Sequence, residues 1–316
     1  MTTPAPGTHT GIPPAGRHGG DGARVAAALG LDPASMIDLS ASMNPFAPDV
    51  AAVLADLLRR EGSAVHHYPD STGATITLAD AIGVDADQLV LTNGGAEAIA
   101  LTAAHLQVGN VVEPEFSLYR RHLTAVDPGA ARWRSNPSNP LGQLAAPEDT
   151  AGVWDEAFYP IATGRWTRGD ACAWRLGSLT KLWNCPGLRL GYVIAPTGGE
   201  AHAIRHRQPR WSVNGLALTA LPELLATTDL PAWFVQIVGL RHRFATALET
   251  LGFDVTVTDS NWVLVDHDDL RADLARHGVL VRDCSSFGLP GLHRVALPAP
   301  QQFDTVLDAF TAVHDQ

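Results

Sequence analysis

The sequence contains few cysteines, fewer bases than acids and no long apolar run. Its three cysteines, Cys172, Cys185 and Cys284, are too few and too widely spaced for a disulfide framework or a cysteine zinc site. No stretch of about 18 apolar residues is present, so we expect no membrane-spanning helix. The first residues lack a basic segment followed by an apolar one, so we expect no signal peptide and a cytoplasmic protein.

Basic residues number 22 against 33 acidic ones, which gives a formal net charge of −11. A chain this acidic has no overall attraction for a phosphate backbone, so we expect no nucleic-acid partner. A small anionic substrate is still compatible, because a few buried arginines can bind it locally. The 13 histidines show no HxxxH or HExxH spacing on a predicted helix, so we predict no metal site.

Short apolar segments alternate with amphipathic ones, a pattern typical of an α/β protein with a mostly parallel sheet. The longest helical pattern runs over 231–251 and is followed by Gly252. The last third of the chain has the pattern of a small α+β lobe. We therefore predict an N-terminal arm at 1–43, a large domain at 44–228 and a small domain at 229–316.

A lysine, Lys181, stands between a predicted strand and a Gly-rich turn that contains Arg189. A single lysine near a strand end is usually a solvated surface group. The apolar strand before it and the turn after it favour an inward-facing amine instead. A desolvated lysine of this kind can act as a Schiff-base nucleophile.

Three other segments contain residues suited to chemistry. The turn Gly94-Gly95 leads from a strand into a helix, where backbone N–H groups bind phosphate, although an ordinary turn has the same pattern. Asp155 follows a buried strand; it could pair with a protonated pyridine nitrogen or merely cap a helix. Arg294 lies on a late strand, where it could hold a carboxylate through two hydrogen bonds or form a surface ion pair.

These segments and the Asn-Pro loop at 135–142 follow one another in an order that resembles the fold-type-I enzymes of the aminotransferase class I and II superfamily. These enzymes depend on pyridoxal 5′-phosphate (PLP), and the resemblance covers the chain from about His18 onward. It implies an α/β large domain of the PLP-dependent transferase fold, a small C-terminal domain and a homodimer. Within the superfamily, His18–Asp21, Ile37–Pro45 and Val281–Phe287 resemble the branch of histidinol-phosphate aminotransferase and, more closely, L-threonine-O-3-phosphate decarboxylase.

The resemblance also implies a role for each matching residue. Lys181 would bind PLP as a Schiff base and move the proton at the substrate Cα, while Asp155 would face the pyridine nitrogen. The remaining cofactor contacts would be Asn139 on the phenolic oxygen, Phe116 on the ring, and, on the phosphate, Gly95, Ala96, Ser178, Thr180, Arg189 and Tyr68 from the partner subunit. The substrate contacts would be Arg294 on the carboxylate, or Arg294 with His18, Asn44 and Arg282 around a phosphate.

For the reaction, the resemblance implies a phosphorylated amino acid that is decarboxylated in cobalamin synthesis. An aminotransferase for histidinol phosphate or an aromatic amino acid is the alternative, and a PLP-binding protein without turnover is a third. Retention of the cofactor residues together argues against the third. Two positions depart from the usual pattern: Phe158 stands where many relatives have tyrosine, and Leu141 replaces a residue with a hydroxyl.

Overall fold

The structure is a computed structural model, and it describes residues 11–315. Its α-helices are α1 (Gly22–Leu29), α2 (Val50–Arg60), α3 (Thr72–Ile82), α4 (Gly94–Leu106), α5 (Leu118–His122), α6 (Tyr159–Thr163), α7 (Leu179–Leu182), α8 (Gly198–Arg207), α9 (Gly215–Ala226), α10 (Leu230–Thr250), α11 (Leu270–Arg276) and α12 (Phe303–His314). Its strands are β1 (Ile37–Asp38), β2 (Leu89–Thr92), β3 (Val108–Val111), β4 (Ala125–Val126), β5 (Arg132–Ser135), β6 (Val153–Asp155), β7 (Trp174–Ser178), β8 (Gly191–Ile194), β9 (Asp254–Val257), β10 (Trp262–Asp266), β11 (Val279–Leu280), β12 (Arg282–Asp283) and β13 (Leu292–Ala296).

The chain divides into two units. The large unit consists of Met43–Leu240 and Thr258–Asn261, and the small unit of the described part of 1–42, Arg241–Val257 and residues 262–315. The division therefore falls inside α10, whereas the sequence pattern predicts it at residue 228. The described part of the predicted N-terminal arm belongs to the small unit, except for Met43.

A seven-stranded sheet in the order β2-β8-β7-β6-β5-β3-β4 forms the centre of the large unit. Neighbouring strands from β7 to β4 run parallel, and β8 is antiparallel to both of its neighbours. All residues of β2 and β8 are buried, so these strands are continuously apolar or small rather than alternating. The mostly parallel sheet with helices between its strands confirms the predicted α/β class.

The carboxyl ends of β5, β6 and β7 lie side by side. Ser135 on β5 is in register with Asp155 on β6, and β7 ends nearby at Ser178. The indoles of Trp133 and Trp154, which precede these ends, are fully buried and fix the strands in the core. Ligands of open parallel sheets bind at the carboxyl edge, so the fold places these polar residues where a ligand is expected.

The small unit contains an antiparallel sheet in the order β12-β13-β10-β9 and a separate parallel pair, β1-β11. Val25 and Ala26 of α1 pack with Leu280 of β11 in one apolar cluster. Phe310 of α12 packs edge-on against Phe244 at a ring-centroid distance of 6.2 Å. This arrangement of antiparallel strands and helices agrees with the α+β pattern of the last third of the chain.

Five helices (α3, α6, α7, α8 and α9) and two strands (β4 and β5) do not stand out in the sequence pattern. Strand β5 reads Arg-Trp-Arg-Ser, and only Trp133 and Ser135 of it are buried. Helix α3 contains Thr and Ile residues, whose branched side chains favour strands over helices. Helix α5 ends at His122, and Ala125 then begins β4. Within residues 11–315, no helix is both long and apolar enough to cross a membrane.

Candidate active site

The turn between β2 and α4 forms a cradle with Arg189 and Ser178. Gly94 has a φ of +78°, and a Cβ added to it would lie 2.4 Å from Nη2 of Arg189. A Cβ on Gly95 would lie 3.3 Å from Cβ of Ser178, and one on Gly191 would lie 2.6 Å from the carbonyl carbon of Gly94. Glycine at these positions allows the guanidinium and the hydroxyl to approach the backbone. The structure therefore brings together three predicted phosphate contacts: Gly95, Ser178 and Arg189.

This cradle suits a phosphate group. It lies at the N-terminus of α4, a 13-residue helix whose first backbone N–H groups include those of Gly95 and Ala96. The guanidinium of Arg189 adds a positive charge at the same place and is held by a hydrogen bond from Nη1 to the carbonyl oxygen of Pro186 (3.2 Å). Thr180, also predicted here, is buried, and its hydroxyl donates to the carbonyl oxygen of Leu190 (3.4 Å).

Lys181 is the only lysine in the sequence. It lies in the short helix α7 directly after β7, and its Nζ is 5.9 Å from the centroid of the Phe158 ring. Asn44 holds this turn: its N–H donates to the carbonyl oxygen of Lys181 (3.0 Å) and its side-chain amide to that of Leu182 (3.0 Å). The single lysine is a signal that motif reading missed, since a Schiff base on any other lysine side chain is impossible in this chain.

Asp155 ends β6 and accepts two hydrogen bonds. The Tyr119 hydroxyl donates to Oδ2 (2.7 Å), and the backbone N–H of Ala157 donates to Oδ1 (3.0 Å). Burial raises the pKa of Asp155, and these two hydrogen bonds oppose that shift. Phe116 lies edge-on to Tyr119, with ring centroids 6.1 Å apart. A fixed carboxylate beside an aromatic ring can pair with a protonated ring nitrogen.

The Asn-Pro loop begins where β5 ends. Asn139 is buried, and its backbone N–H donates to Oγ of Ser135 (2.9 Å). The side-chain oxygen of Asn136 accepts from the N–H of Ala145 (2.9 Å), which ties down the first Asn-Pro pair. Because Ser135 and Asp155 are neighbours across β5 and β6, Asn139 and Asp155 are held at the same edge of the sheet.

Two arginines face each other in the small unit. Arg282 on β12 and Arg294 on β13 are partners in register, and both are buried. Arg282 donates to the carbonyl oxygens of Gly16 and Arg17 (2.6 Å each), and Arg294 donates to that of Ser40 (2.9 Å). The segment that contains His18 is thus attached to Arg282.

A protein-family model described as aminotransferase class I and II matches residues 133–310. A histidinol-phosphate aminotransferase of Halorubrum lacusprofundi is 30% identical, and the alignment covers 86% of this chain and 87% of that protein. The chain belongs to the aminotransferase class I and II family. The family is PLP-dependent, so the chain is a PLP enzyme, as the sequence predicts.

Solved structures of family members have the same fold. The histidinol-phosphate aminotransferase of Clostridium acetobutylicum superimposes with a TM-score of 0.76 at 22% identity, covering 89% of this chain and 99% of that one. The L-threonine-O-3-phosphate decarboxylase of Porphyromonas gingivalis gives a TM-score of 0.73 at 21% identity, covering 89% and 100%. Identities this low show the fold alone, which is the type I PLP fold.

The large unit of this aminotransferase-family chain fits PLP. The cradle offers backbone N–H groups and Arg189 to a phosphate, Lys181 offers an amine, and Asp155 offers an oriented carboxylate.

Three residues that hold these groups in place were not predicted: Glu115, Tyr119 and Ser135. None of the three stands out in the sequence, because each is held by contacts that only the fold creates.

Tyr68 was predicted to contact the cofactor phosphate of a partner subunit. It is 78% exposed and stacks on Trp211, with ring centroids 4.3 Å apart. Its role across a dimer stays a prediction.

One HxxxH pair does lie on a helix, contrary to the expectation from the sequence. His202 and His206 form an HxxxH pair on α8, a helix that the sequence pattern did not predict, and their rings stack at 5.6 Å. No group of three or more histidine, cysteine or acidic side chains within residues 11–315 is arranged to hold a metal ion.

Proposed function

We propose that this PLP enzyme is an aminotransferase whose substrate carries a phosphate ester, with histidinol phosphate as the first candidate. The named reaction is supported by the curated relatives, of which the Halorubrum protein is one. The observation that carries the phosphate-bearing substrate is the facing pair Arg282 and Arg294 in the small unit. The sequence resemblance by itself favours decarboxylation, which becomes the second candidate.

The arginine pair places two positively charged groups opposite each other on adjacent strands. Like charges directly opposite each other on antiparallel strands destabilise the pair. Burial lowers the pKa of both, that of Arg294 to about 10, so both remain cationic at neutral pH. Arg282 donates to neutral oxygens of Gly16, Arg17 and Ser286, and it makes no ion pair within residues 11–315. A phosphate monoester, with about two negative charges, would balance such a pair through charge-assisted hydrogen bonds.

The residues of the large unit would hold the cofactor and move the proton. Bound PLP supplies an electron sink for the substrate Cα. Lys181 would bind it and transfer the proton at Cα, Asp155 would face the pyridine nitrogen, and Asn139 the phenolic oxygen. Phe116 would cover one face of the ring. Gly95, Ala96, Ser178 and Arg189 would hold the phosphate, and Tyr68 would add a contact across a homodimer.

Decarboxylation of threonine phosphate is the second candidate because the segments that resemble the decarboxylase, apart from residues 43–45, belong to the small unit. The N–H of Gly20 donates to Oγ of Ser40 (2.8 Å), and the N–H of Gly22 donates to Oδ2 of Asp38 (3.0 Å). The arm around His18 and the strand β1 thus meet at the arginine pair, to which Ser40 is joined through Arg294. This arrangement supports a phosphate site equally well for either reaction.

One experiment separates the two reactions. The purified holoenzyme is given histidinol phosphate without a keto acid, and separately threonine phosphate, while visible absorbance and carbon dioxide are followed. We expect histidinol phosphate to remove the visible absorbance of the cofactor until a keto acid restores it, with no carbon dioxide from threonine phosphate. Carbon dioxide from threonine phosphate with unchanged absorbance, and no response to histidinol phosphate, would replace the first candidate by the second.

A further inference from the structure

Glu115 is an acid buried behind the cofactor site, with 5% of its surface exposed. It follows β3 in the same segment as Phe116. Both of its carboxyl oxygens contact Ser135: the N–H of Ser135 lies 3.1 Å from Oε1, and the hydroxyl of Ser135 lies 2.5 Å from Oε2. A buried carboxyl group is costly unless it is hydrogen-bonded, so this pairing fixes both side chains in one arrangement.

Ser135 transmits that arrangement to the Asn-Pro loop. Its Oγ accepts a hydrogen bond from the backbone N–H of Asn139 (2.9 Å) while it is bonded to Glu115. Ser135 thus connects Glu115 to the residue proposed to contact the phenolic oxygen of PLP. The N–H of the next residue, Asn136, donates to the carbonyl oxygen of Asp155 (2.8 Å), so the start of the loop is also tied to β6.

The same serine lies beside the hydroxyl of Tyr119, which donates to Asp155. Glu115, Ser135, Tyr119 and Asp155 therefore form one buried polar group at the carboxyl edge of the sheet. Burial raises the pKa of Glu115 to about 8, and the negative charge of Asp155 adds to the shift. At neutral pH Glu115 is therefore mostly protonated, and it places no second full negative charge beside Asp155.

We propose that Glu115 is a positioning residue for the cofactor, which acts through Ser135 on Asn139 and through Tyr119 on Asp155. It touches neither cofactor nor substrate. Its effect is to hold in place the two side chains that would bind the ring nitrogen and the phenolic oxygen of PLP. The proposal rests on the roles proposed above for Asn139 and Asp155, and not on the identity of the substrate.

The test compares Glu115→Ala, Glu115→Gln and Glu113→Gln in the absence of any substrate. Glu113 is the matched control, since it is an exposed acid two residues away that pairs with Arg120 and accepts the backbone N–H of Glu115, a hydrogen bond that a glutamine oxygen can also accept. Three quantities are measured: the affinity for PLP, the pH midpoint of the visible absorbance of the holoenzyme, and the melting temperature of the apoprotein. The affinity and the midpoint report on the phenolic oxygen and the ring nitrogen, which a purely structural role would leave unchanged.

We expect Glu115→Ala to weaken PLP binding about tenfold and to move the absorbance midpoint by about one pH unit, since one hydrogen bond to the cofactor is misaligned. Glu115→Gln keeps an oxygen acceptor for Ser135 and should move both by less than half as much, while Glu113→Gln should match wild type. If Glu115→Ala does not fold, Ser135→Ala should show the same shifts. A lower melting temperature with wild-type affinity and midpoint in the variant that folds would overturn the proposal. Because no substrate is added, a wrong substrate assignment leaves the result intact.

Discussion

The candidate sites of the two units bury ionisable groups of different kinds. The large unit buries the carboxyl groups of Glu115 and Glu156 near the carboxyl edge of its sheet. The small unit instead buries the guanidinium groups of Arg282 and Arg294 on adjacent strands. Burial of either kind of group costs free energy through desolvation. It raises the pKa of the glutamates and lowers that of the arginines, which in both cases favours the neutral form.

This difference indicates which kind of ligand each unit can bind. Asp155 suits the edge of PLP that carries a protonated nitrogen, and the raised pKa values of Glu115 and Glu156 reduce the negative charge around it. Facing arginines suit a ligand that brings negative charge with it. Variants of the large unit should therefore change the affinity for the cofactor, and variants of the small unit should change the KM for the substrate.

The largest effect is expected from Lys181→Ala. Because this change removes the only lysine, borohydride should no longer attach PLP to any side chain, and the visible absorbance of the bound cofactor should be lost. Loss of proton transfer alone should lower turnover by about 10²- to 10⁴-fold. Mass spectrometry of the reduced wild-type protein should find the label on the peptide that contains Lys181.

The N-terminal amino group is the control for that experiment, because it is the one other primary amine in the chain. A reduced Lys181→Ala protein with its label on that group would show adventitious attachment. Wild-type protein labelled there, and not at Lys181, would contradict the assignment of the cofactor lysine.

The next largest effect is expected from Gly94→Ala. A Cβ at this position would lie 2.4 Å from Nη2 of Arg189, and the φ of +78° disfavours alanine. The guanidinium has to move out of the cradle, which should weaken PLP binding by about 10- to 100-fold, the value of one charge-assisted hydrogen bond. Gly187→Ala is the matched control, because nothing lies within 4 Å of its added Cβ. Equal PLP affinities for the two variants would contradict the cradle.

Arg294→Lys, in the small unit, should affect substrate binding and leave cofactor binding unchanged. Lysine keeps the charge but loses the two-pronged geometry, so KM for the phosphorylated substrate should rise about tenfold or more. The affinity for PLP should stay at the wild-type value. Arg276→Lys, an exposed arginine paired with Asp273, is the control. A variant that loses PLP affinity and keeps its KM would reverse the roles given to the two units.

Much of the candidate cofactor site could be predicted from the sequence because its residues lie at turns, strand ends and helix starts that neighbouring residues indicate. Lys181 and Arg189 flank a turn, Asp155 ends a strand, and Gly95 opens a helix, so each is recognisable from its neighbours. Their order along the chain then indicates that they lie together, since the carboxyl ends of parallel strands lie at one edge of a sheet.

The rest of the site could not be predicted because it depends on contacts across strands. Glu115 and Ser135 are 20 positions apart, and nothing in either segment indicates that they are bonded. The facing of Arg282 and Arg294 is likewise a matter of strand register, which the sequence pattern leaves open. In the fold, β5 does not stand out because its two half-buried positions are arginines and its buried ones are a tryptophan and a serine.

The last effect is on stability, not on binding or turnover, and it concerns Glu156, which is fully buried. Oε1 accepts from the N–H of Arg168 (2.8 Å), whereas Oε2 has no hydrogen-bond partner within residues 11–315. Burial raises its pKa from 4.5 to about 7, so the folded protein retains a proton that the unfolded chain releases above pH 4.5. Stability is therefore lost as the pH rises from about 4.5 to 7, by up to about 3 kcal/mol.

Glu156→Gln removes this ionisation without removing the hydrogen bond from Arg168. It should change the free energy of unfolding little at pH 5 and raise it at pH 8, as measured by urea titration of the apoprotein at both values. Glu249→Gln, on the exposed side of α10, should change neither. A Glu156→Gln protein that is destabilised equally at pH 5 and pH 8 would mean that Glu156 is charged in the folded protein. The large unit would then hold a second full negative charge beside Asp155, and the contrast between neutral acids in one unit and charged arginines in the other would not stand.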